Sequence, residues 1–232
     1  MSDNKLAEER EQRRNAFLAW DIENELPLDI GEYHLERIDK QEERIYKAFG
    51  WTSLKNGWQV RAIFDEETMD YMIKMDLNLV VLTEIEVITG DFETFKDFVK
   101  RWTVKAIKKE LLQRKDLSVL VKGHAFTQWD YSHALPEKIG HFTRVIEPVN
   151  PLQGLNGSYI IATYECREKE LGALFFYNVY RDEYYGEFRA GGIPIIIHTY
   201  DAKDVKKFDM ILTKYLEKDL QNLYDHPVME DE

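Results

Sequence analysis

The sequence predicts an α+β protein made mainly of antiparallel strands, with helices packed on one face of the sheet. Three observations carry that expectation. Four short β-branched and aromatic runs follow one another at 159–164, 173–180, 184–188 and 193–200, separated by polar or glycine-bearing breaks. Such runs with turn residues between them read as an antiparallel meander. Directly after them, Val205, Phe208, Ile211, Leu212, Tyr215, Leu216, Leu220 and Leu223 form an apolar stripe at helical spacing, so a long C-terminal helix is expected. Strand-like alternation also recurs earlier in the chain, which brings the expected sheet to about six to eight strands.

In chain order, residues 4–20 suit a helix whose last turn, with Phe17, Leu18 and Trp20, is able to dock. Residues 21–31 contain Pro27 and Gly31 and read as a connector. Leu35, Ile38, Ile45 and Phe49 fall at helical spacing, which predicts a second helix over 35–49. The expected organisation is therefore a helical N-terminal appendage (1–50), an α+β domain (51–225) and an acidic tail (226–232). Within the domain, 58–64 alternates as a strand, and Asp65-Glu66-Glu67 looks like a helix start with Met69, Met72 and Ile73 as its buried face. Residues 79–88 read as a strand with Glu84 and Glu86 on its wet face. Asp91 then caps a helix reaching about residue 115. Strands are expected at 117–129 and 139–146, a loop at 147–157, and Asp201 as the cap of the last helix. A strand–helix–meander–long-helix order resembles the helix-grip arrangement, in which a curved sheet wraps the terminal helix; that resemblance of topology implies an apolar cavity between them.

Composition narrows the class. At 44% hydrophobic residues the chain is far from a disordered composition. No apolar run is long enough to span a membrane, and the charged stretch 1–14 lacks an apolar core, so no secretory signal is expected. Cys166 is the single cysteine; this excludes an intrachain disulfide and a Cys-based metal cluster, and suits a cytoplasmic setting. A net charge of −12 argues against nucleic acid or anionic lipid as the main partner.

No stretch carries a recognisable catalytic motif. There is no phosphate-binding loop and no His-Glu-x-x-His, and His34-Leu35-Glu36 lacks the Cys-x-x-Cys half of a zinc deaminase. The leading expectation is a non-enzymatic intracellular protein-interaction or accessory module with a protein partner. Its contact residues would be Trp20 and the cations Arg101, Lys105, Lys108 and Lys109, which share a helix face in a segment (92–115) holding 8 basic and 3 acidic groups. The opposing reading is a solvated face paired with the acidic N-terminal segment.

Two alternatives come from other classes. A small-molecule or lipid-binding domain of helix-grip type would take an apolar ligand against Trp129, Tyr164, Tyr177 and Tyr180. A metal- or His-dependent hydrolase would use His124, Asp130, His133 and His141. The histidine spacings match no compact metal signature, so no metal site is assigned and no cofactor is named.

Overall fold

A computed structural model of the chain describes residues 3–154 and 157–227, and it is α+β with antiparallel sheets. The chain divides into two compact units, residues 1–112 and 113–232. In the first, α1 (Asp3–Ala19) and α2 (Ile22–Glu25) precede β1 (Asp29–Ile30), β2 (Tyr33–Glu42), β3 (Ile45–Ser53), β4 (Gln59–Asp65), β5 (Asp70–Asp76) and β6 (Val81–Thr89). These six strands pair in chain order. A composite helix follows: α3 (Phe92–Phe98), a π-helical segment (Val99–Thr103), α4 (Val104–Ala106) and a second π-helical segment (Ile107–Leu112).

In the second unit, α5 (Val119–Lys122) and a 3-10 turn (Ala125–Gln128) precede β7 (Lys138–Ile139), β8 (Phe142–Ile146), β9 (Leu152–Gln153), β10 (Ser158–Cys166), β11 (Leu171–Asn178), β12 (Glu183–Ala190) and β13 (Ile193–Ala202). The sheet order is β13-β12-β11-β10-β8-β7, with β9 paired to β10. The long helix α6 (Val205–Asp225) ends the unit.

The meander and the terminal helix stand where the sequence predicts them; other segments differ. Residues 35–49 form strands because burial there alternates: Tyr33 and Leu35 are buried while His34 and Glu36 are exposed. Period two overrides the 3.6-residue spacing of the apolar positions. The expected boundary at residue 50 consequently falls inside β3, and Phe17 in the last turn of α1 and Trp20 just after it are core residues of the first unit. After Asp65 the acidic run makes a turn. The Asp65 carboxylate accepts from the Glu67 N–H at 2.9 Å, and Met69 takes a left-handed φ of 61°, so the chain enters β5 rather than a helix. Residues 117–129 fold as short helical turns, with Val121 and Phe126 buried and Val119 87% exposed. At the far end β13 extends to Ala202, which shifts the helix cap from Asp201 to Asp204; its carboxylate accepts the Lys207 N–H at 2.8 Å. The acidic residues 228–232 lie outside the described residues.

The two units follow one plan. In each, a two-residue strand turns into the first strand of a meander, and the meander leads into a helix. The sequence carries the match at a constant offset. Phe17, Trp20, Asp21, Leu26, Pro27, Ile30 and Gly31 recur 109 positions later as Phe126, Trp129, Asp130, Leu135, Pro136, Ile139 and Gly140, and Tyr33 is matched by Phe142. Geometry follows the letters. Gly31 and Gly140 take φ of 61° and 55°, the left-handed turn conformation glycine adopts without strain. Ile30 pairs with Tyr33 and Ile139 with Phe142. The Leu35 N–H donates to the Leu28 carbonyl at 2.7 Å, and the Arg144 N–H to the Glu137 carbonyl at 2.8 Å.

The rings repeat as well. Phe64 faces Tyr71 across β4 and β5 with centroids 4.7 Å apart; Tyr177 faces Tyr184 across β11 and β12 at 4.8 Å. Two residues before each of those tyrosines sits a left-handed residue, Met69 at 61° and Asp182 at 50°. These later matches stand 113 positions apart, so residue type, strand register and turn geometry recur at offsets of 109 and then 113, which marks the chain as an internal duplication.

Candidate functional site

The basic surface of the first unit depends on the unusual helix. Phe95, Val99, Thr103, Ile107 and Leu111 are all buried, at strict intervals of four. An α-helix has 3.6 residues per turn, so such a stripe drifts by about 40° at each step. The two π-helical segments, with their wider i→i+5 turns, cancel the drift and keep all five on one side. The same widening orders the outer side. Asp97, Arg101, Lys105 and Lys109 form a single column one turn apart, with Lys108 in the neighbouring column beside Lys96 and Lys100.

Arg101 pairs with Asp97 at 2.8 Å and Lys96 with Glu93 at 2.7 Å. Among the described residues Lys100 alone of these cations forms an ion pair with the N-terminal segment, at Glu25. Among the described residues Lys105, Lys108 and Lys109 form no ion pair. The Lys105 ammonium lies 5.0 Å above the ring of Trp102, which is 44% exposed. Trp20, expected as a contact residue, is instead buried against Phe49 and Phe92, and its indole N–H donates to Glu25.

Sequence reasoning missed a carboxylate pair next to this helix. Glu84 pairs across the sheet with fully buried Ile73, so it is half-buried rather than on a wet face. Burial pushes the Glu84 carboxyl up. Burial also lifts Glu110, helped by the Glu84 charge and opposed by Lys109. Alternation over 79–88 concealed this, because the β5–β6 register shifts between Tyr71 and Ile73.

In the second unit the four residues expected to form a histidine site go to different partners. Asp130 accepts from the Ser132 hydroxyl at 2.9 Å. His133 Nε2 lies 3.0 Å from Asp209 on α6, and the Trp129 indole N–H donates to the other oxygen of that carboxylate at 2.7 Å. His141 stacks flat on Tyr224 at 3.9 Å, and Lys169 covers the Tyr224 ring at 3.6 Å. Among the described residues no group of three or more His, Cys, Asp or Glu side chains is placed to hold a metal ion.

His124 makes the most organised contact of the four. Its Nδ1 lies 2.5 Å from the Tyr177 hydroxyl, which itself donates to Asp182 Oδ1 at 2.5 Å. Burial, then the bond to Asp182, pushes the Tyr177 hydroxyl up, so it keeps its proton and commits it to the carboxylate. The Tyr177 oxygen is thereby left as an acceptor, which makes His124 Nδ1 the donor; in the neutral ring the lone pair is then on Nε2. Tyr177 and His124 were expected in separate roles; the fold joins them through Asp182, which sequence reasoning read as part of a turn.

The remaining tyrosines expected at a cavity do not line one together. Tyr164 is fully buried and its hydroxyl donates to the Pro136 carbonyl at 2.7 Å. Tyr180 is 82% exposed. Between the sheet and α6 the space is filled by rings: Phe208 packs on Tyr184 at 4.9 Å and on Phe175 at 6.0 Å, and Phe175 on Tyr200 at 5.1 Å. A groove of about 490 Å³ in this unit has a mixed lining, with Asn178, Arg181, Glu183 and Lys203 beside Tyr184 and Ile196.

No protein-family model, curated protein or solved structure matches the chain.

Proposed function

We propose that the first unit is a protein-interaction module that takes an acidic segment of a partner protein along the Arg101–Lys105–Lys109 column. The observation that carries this reading is the column itself. Three cations stand a turn apart, Lys108 adds a fourth beside them, and exposed Trp102 supplies an apolar contact at the edge. Charge complementarity of this kind steers a partner and fixes its register, and an exposed Trp amid cations is a common anchor. A partner helix with carboxylates at i, i+4 and i+7 presents them on one face toward the column. The chain's net charge of −12 works against a long polyanion such as nucleic acid while leaving a short acidic segment able to dock. A reducing cytoplasmic setting belongs to the same proposal, supported by Cys166 being a buried free thiol. None of the helices is long and apolar enough to cross a membrane among the described residues.

The test uses the full chain and a fluorescent helical peptide with glutamates on one face, at i, i+4 and i+7, against its glutamine counterpart and a single-stranded oligonucleotide. Binding of the glutamate peptide should weaken with salt and fall roughly tenfold or more in the Lys105→Glu/Lys109→Glu double variant. Equal affinity for the glutamine peptide, tighter binding of the oligonucleotide, or indifference to the charge reversal would each overturn the proposal.

A further inference from the structure

The second unit holds a polar chain that its duplicate lacks. His124, Tyr177 and Asp182 are linked by two hydrogen bonds of 2.5 Å. The matching ring position in the first unit is Phe64, which faces Tyr71 as Tyr177 faces Tyr184, but has no hydroxyl. Met69 takes the left-handed turn position occupied by Asp182, and Asn15 stands at the 109-residue offset from His124, its side chain bonded to Glu11 within α1. The architecture therefore forms its aromatic ladder and its turn without any of the three polar groups. Even the backbone strain at Asp182 belongs to the turn, since Met69 shares it. The hydroxyl, imidazole and carboxylate are an addition specific to the second unit.

We propose that this addition is an acid–base site whose working atom is His124 Nε2, and that its ligand is a molecule presenting a hydroxyl or N–H proton. The imidazole is held in place. Its ring packs on Tyr177 with centroids 5.1 Å apart, and the Thr127 hydroxyl ties down the His124 carbonyl at 2.9 Å. The residue is only partly buried. When Nε2 takes a proton from the ligand, the ring becomes imidazolium and its Nδ1–H stays on the Tyr177 oxygen. The Tyr177 proton stays on the bond to Asp182, whose negative charge balances the new positive one. The ligand departs as its conjugate base or passes its charge onward, and no proton leaves the relay. This is the logic of a base oriented by a third group, with a tyrosine inserted between histidine and carboxylate.

The proposal stands apart from the acidic-partner reading of the first unit, and its test does not involve that surface. Long-range ¹⁵N–¹H spectra of the full chain should show His124 protonated at Nδ1 and bare at Nε2. Diethyl pyrocarbonate, which acylates a bare imidazole nitrogen, should label His124. Its labelling rate should fall roughly tenfold in Tyr177→Phe and in Asp182→Asn, because the charge forming on the ring loses its stabilisation. Tyr177→Phe recreates the ring of the first unit, so the fold is retained, and an unchanged far-ultraviolet spectrum and melting profile check this. A His124 protonated at Nε2, or a labelling rate unmoved by both substitutions in the folded variants, would overturn the proposal. Tyr177→Phe that does not fold would also count against it, since the hydroxyl would then be structural; Asp182→Asn keeps the test decisive in that case.

Discussion

Trp51 and Tyr164 occupy one position in two units: each donates from its ring to the carbonyl of the proline in the Leu-Pro turn. Trp51 Nε1 reaches Pro27 at 3.0 Å and the Tyr164 hydroxyl reaches Pro136 at 2.7 Å. Their strand partners match too, Leu35 for Trp51 and Arg144 for Tyr164, again 109 residues apart. In both units the bond ties an exposed proline of the turn to a ring buried in the sheet. Two chemically different rings make it, so what the duplication preserved is the hydrogen bond and not the residue.

Removing the donor should therefore destabilise each unit by a different amount. Tyr164→Phe deletes only a hydroxyl and should cost about 1–2 kcal/mol. Trp51→Phe deletes the donor and leaves a cavity, and should cost about 2–4 kcal/mol. Urea unfolding gives the totals. Hydrogen exchange gives the location: protection should drop around β2–β3 for Trp51→Phe and around β8–β10 for Tyr164→Phe. Loss spread evenly over both units would contradict a separate core for each.

Acid should weaken the first unit through Glu66. Its carboxylate, 8% exposed, accepts from Arg10 at two 2.8 Å bonds and from Arg13 at 2.8 Å. The bond from Arg10 is the largest cause holding its carboxyl below the usual range. A carboxyl lowered in the folded state stabilises it above the unfolded value, about pH 4.3, and that contribution is lost as pH falls through the folded value. Glu66→Gln should cost about 1–2 kcal/mol at pH 7 and little at pH 2.5. A variant equally destabilised at both pH values would show the ion pairs to be immaterial.

Glu84 and Glu110 should act in the opposite sense. Burial raises both carboxyls, so the folded chain binds protons more tightly than the unfolded one. Stability from this source is greatest at low pH and falls as pH rises from the unfolded value through the folded one. Glu110→Gln should raise stability at pH 7 by about 0.5 kcal/mol, a small gain because both groups are half-solvated. At pH 4 the gain should vanish. A loss at pH 7 would mean that Lys109 outweighs the burial and the like charge.

What the sequence displayed depended on how local the determining signal was. The meander was legible because β-branched and aromatic residues fill 159–200 and turns interrupt them regularly. Residues 35–49 misled because Leu35, Ile38, Ile45 and Phe49 fit a helical spacing, while the turn at Glu43, with its φ of 50°, leaves little local trace. The cations were legible as residues, but their alignment into a column rests on π-helical turns that only the buried stripe at every fourth residue betrays. The relay was the least visible. Tyr177 and His124 are 53 residues apart, and Asp182 sits in a turn where an acidic residue attracts no notice. The signal that exposes all three is the repeat, since Phe64 and Met69 stand where Tyr177 and Asp182 do. That repeat is spread thinly over matched positions, and an added strand, β9, interrupts it in the second unit.

Thr103 is the one polar residue in the buried stripe Phe95, Val99, Thr103, Ile107 and Leu111. It is fully buried, and its hydroxyl has no hydrogen-bond partner among the described residues. A threonine inside an α-helix commonly bonds back to a carbonyl one turn earlier, but here the last residue of a π-helical segment has that geometry disturbed. Thr103→Val keeps the shape and the β-branching while removing the unsatisfied hydroxyl, so it should stabilise the chain by about 1 kcal/mol. For a chain of this size that is a rise of about 2–4 °C in Tm. The stripe spacing is untouched, so the column of Arg101, Lys105 and Lys109 should stay aligned and acidic-peptide binding should not change. A fall in Tm would mean that the hydroxyl holds the π-helical turn open through a bond to the helix backbone. Binding to the acidic peptide should then weaken as well, because a helix relaxing to 3.6 residues per turn would spread the three cations around its surface.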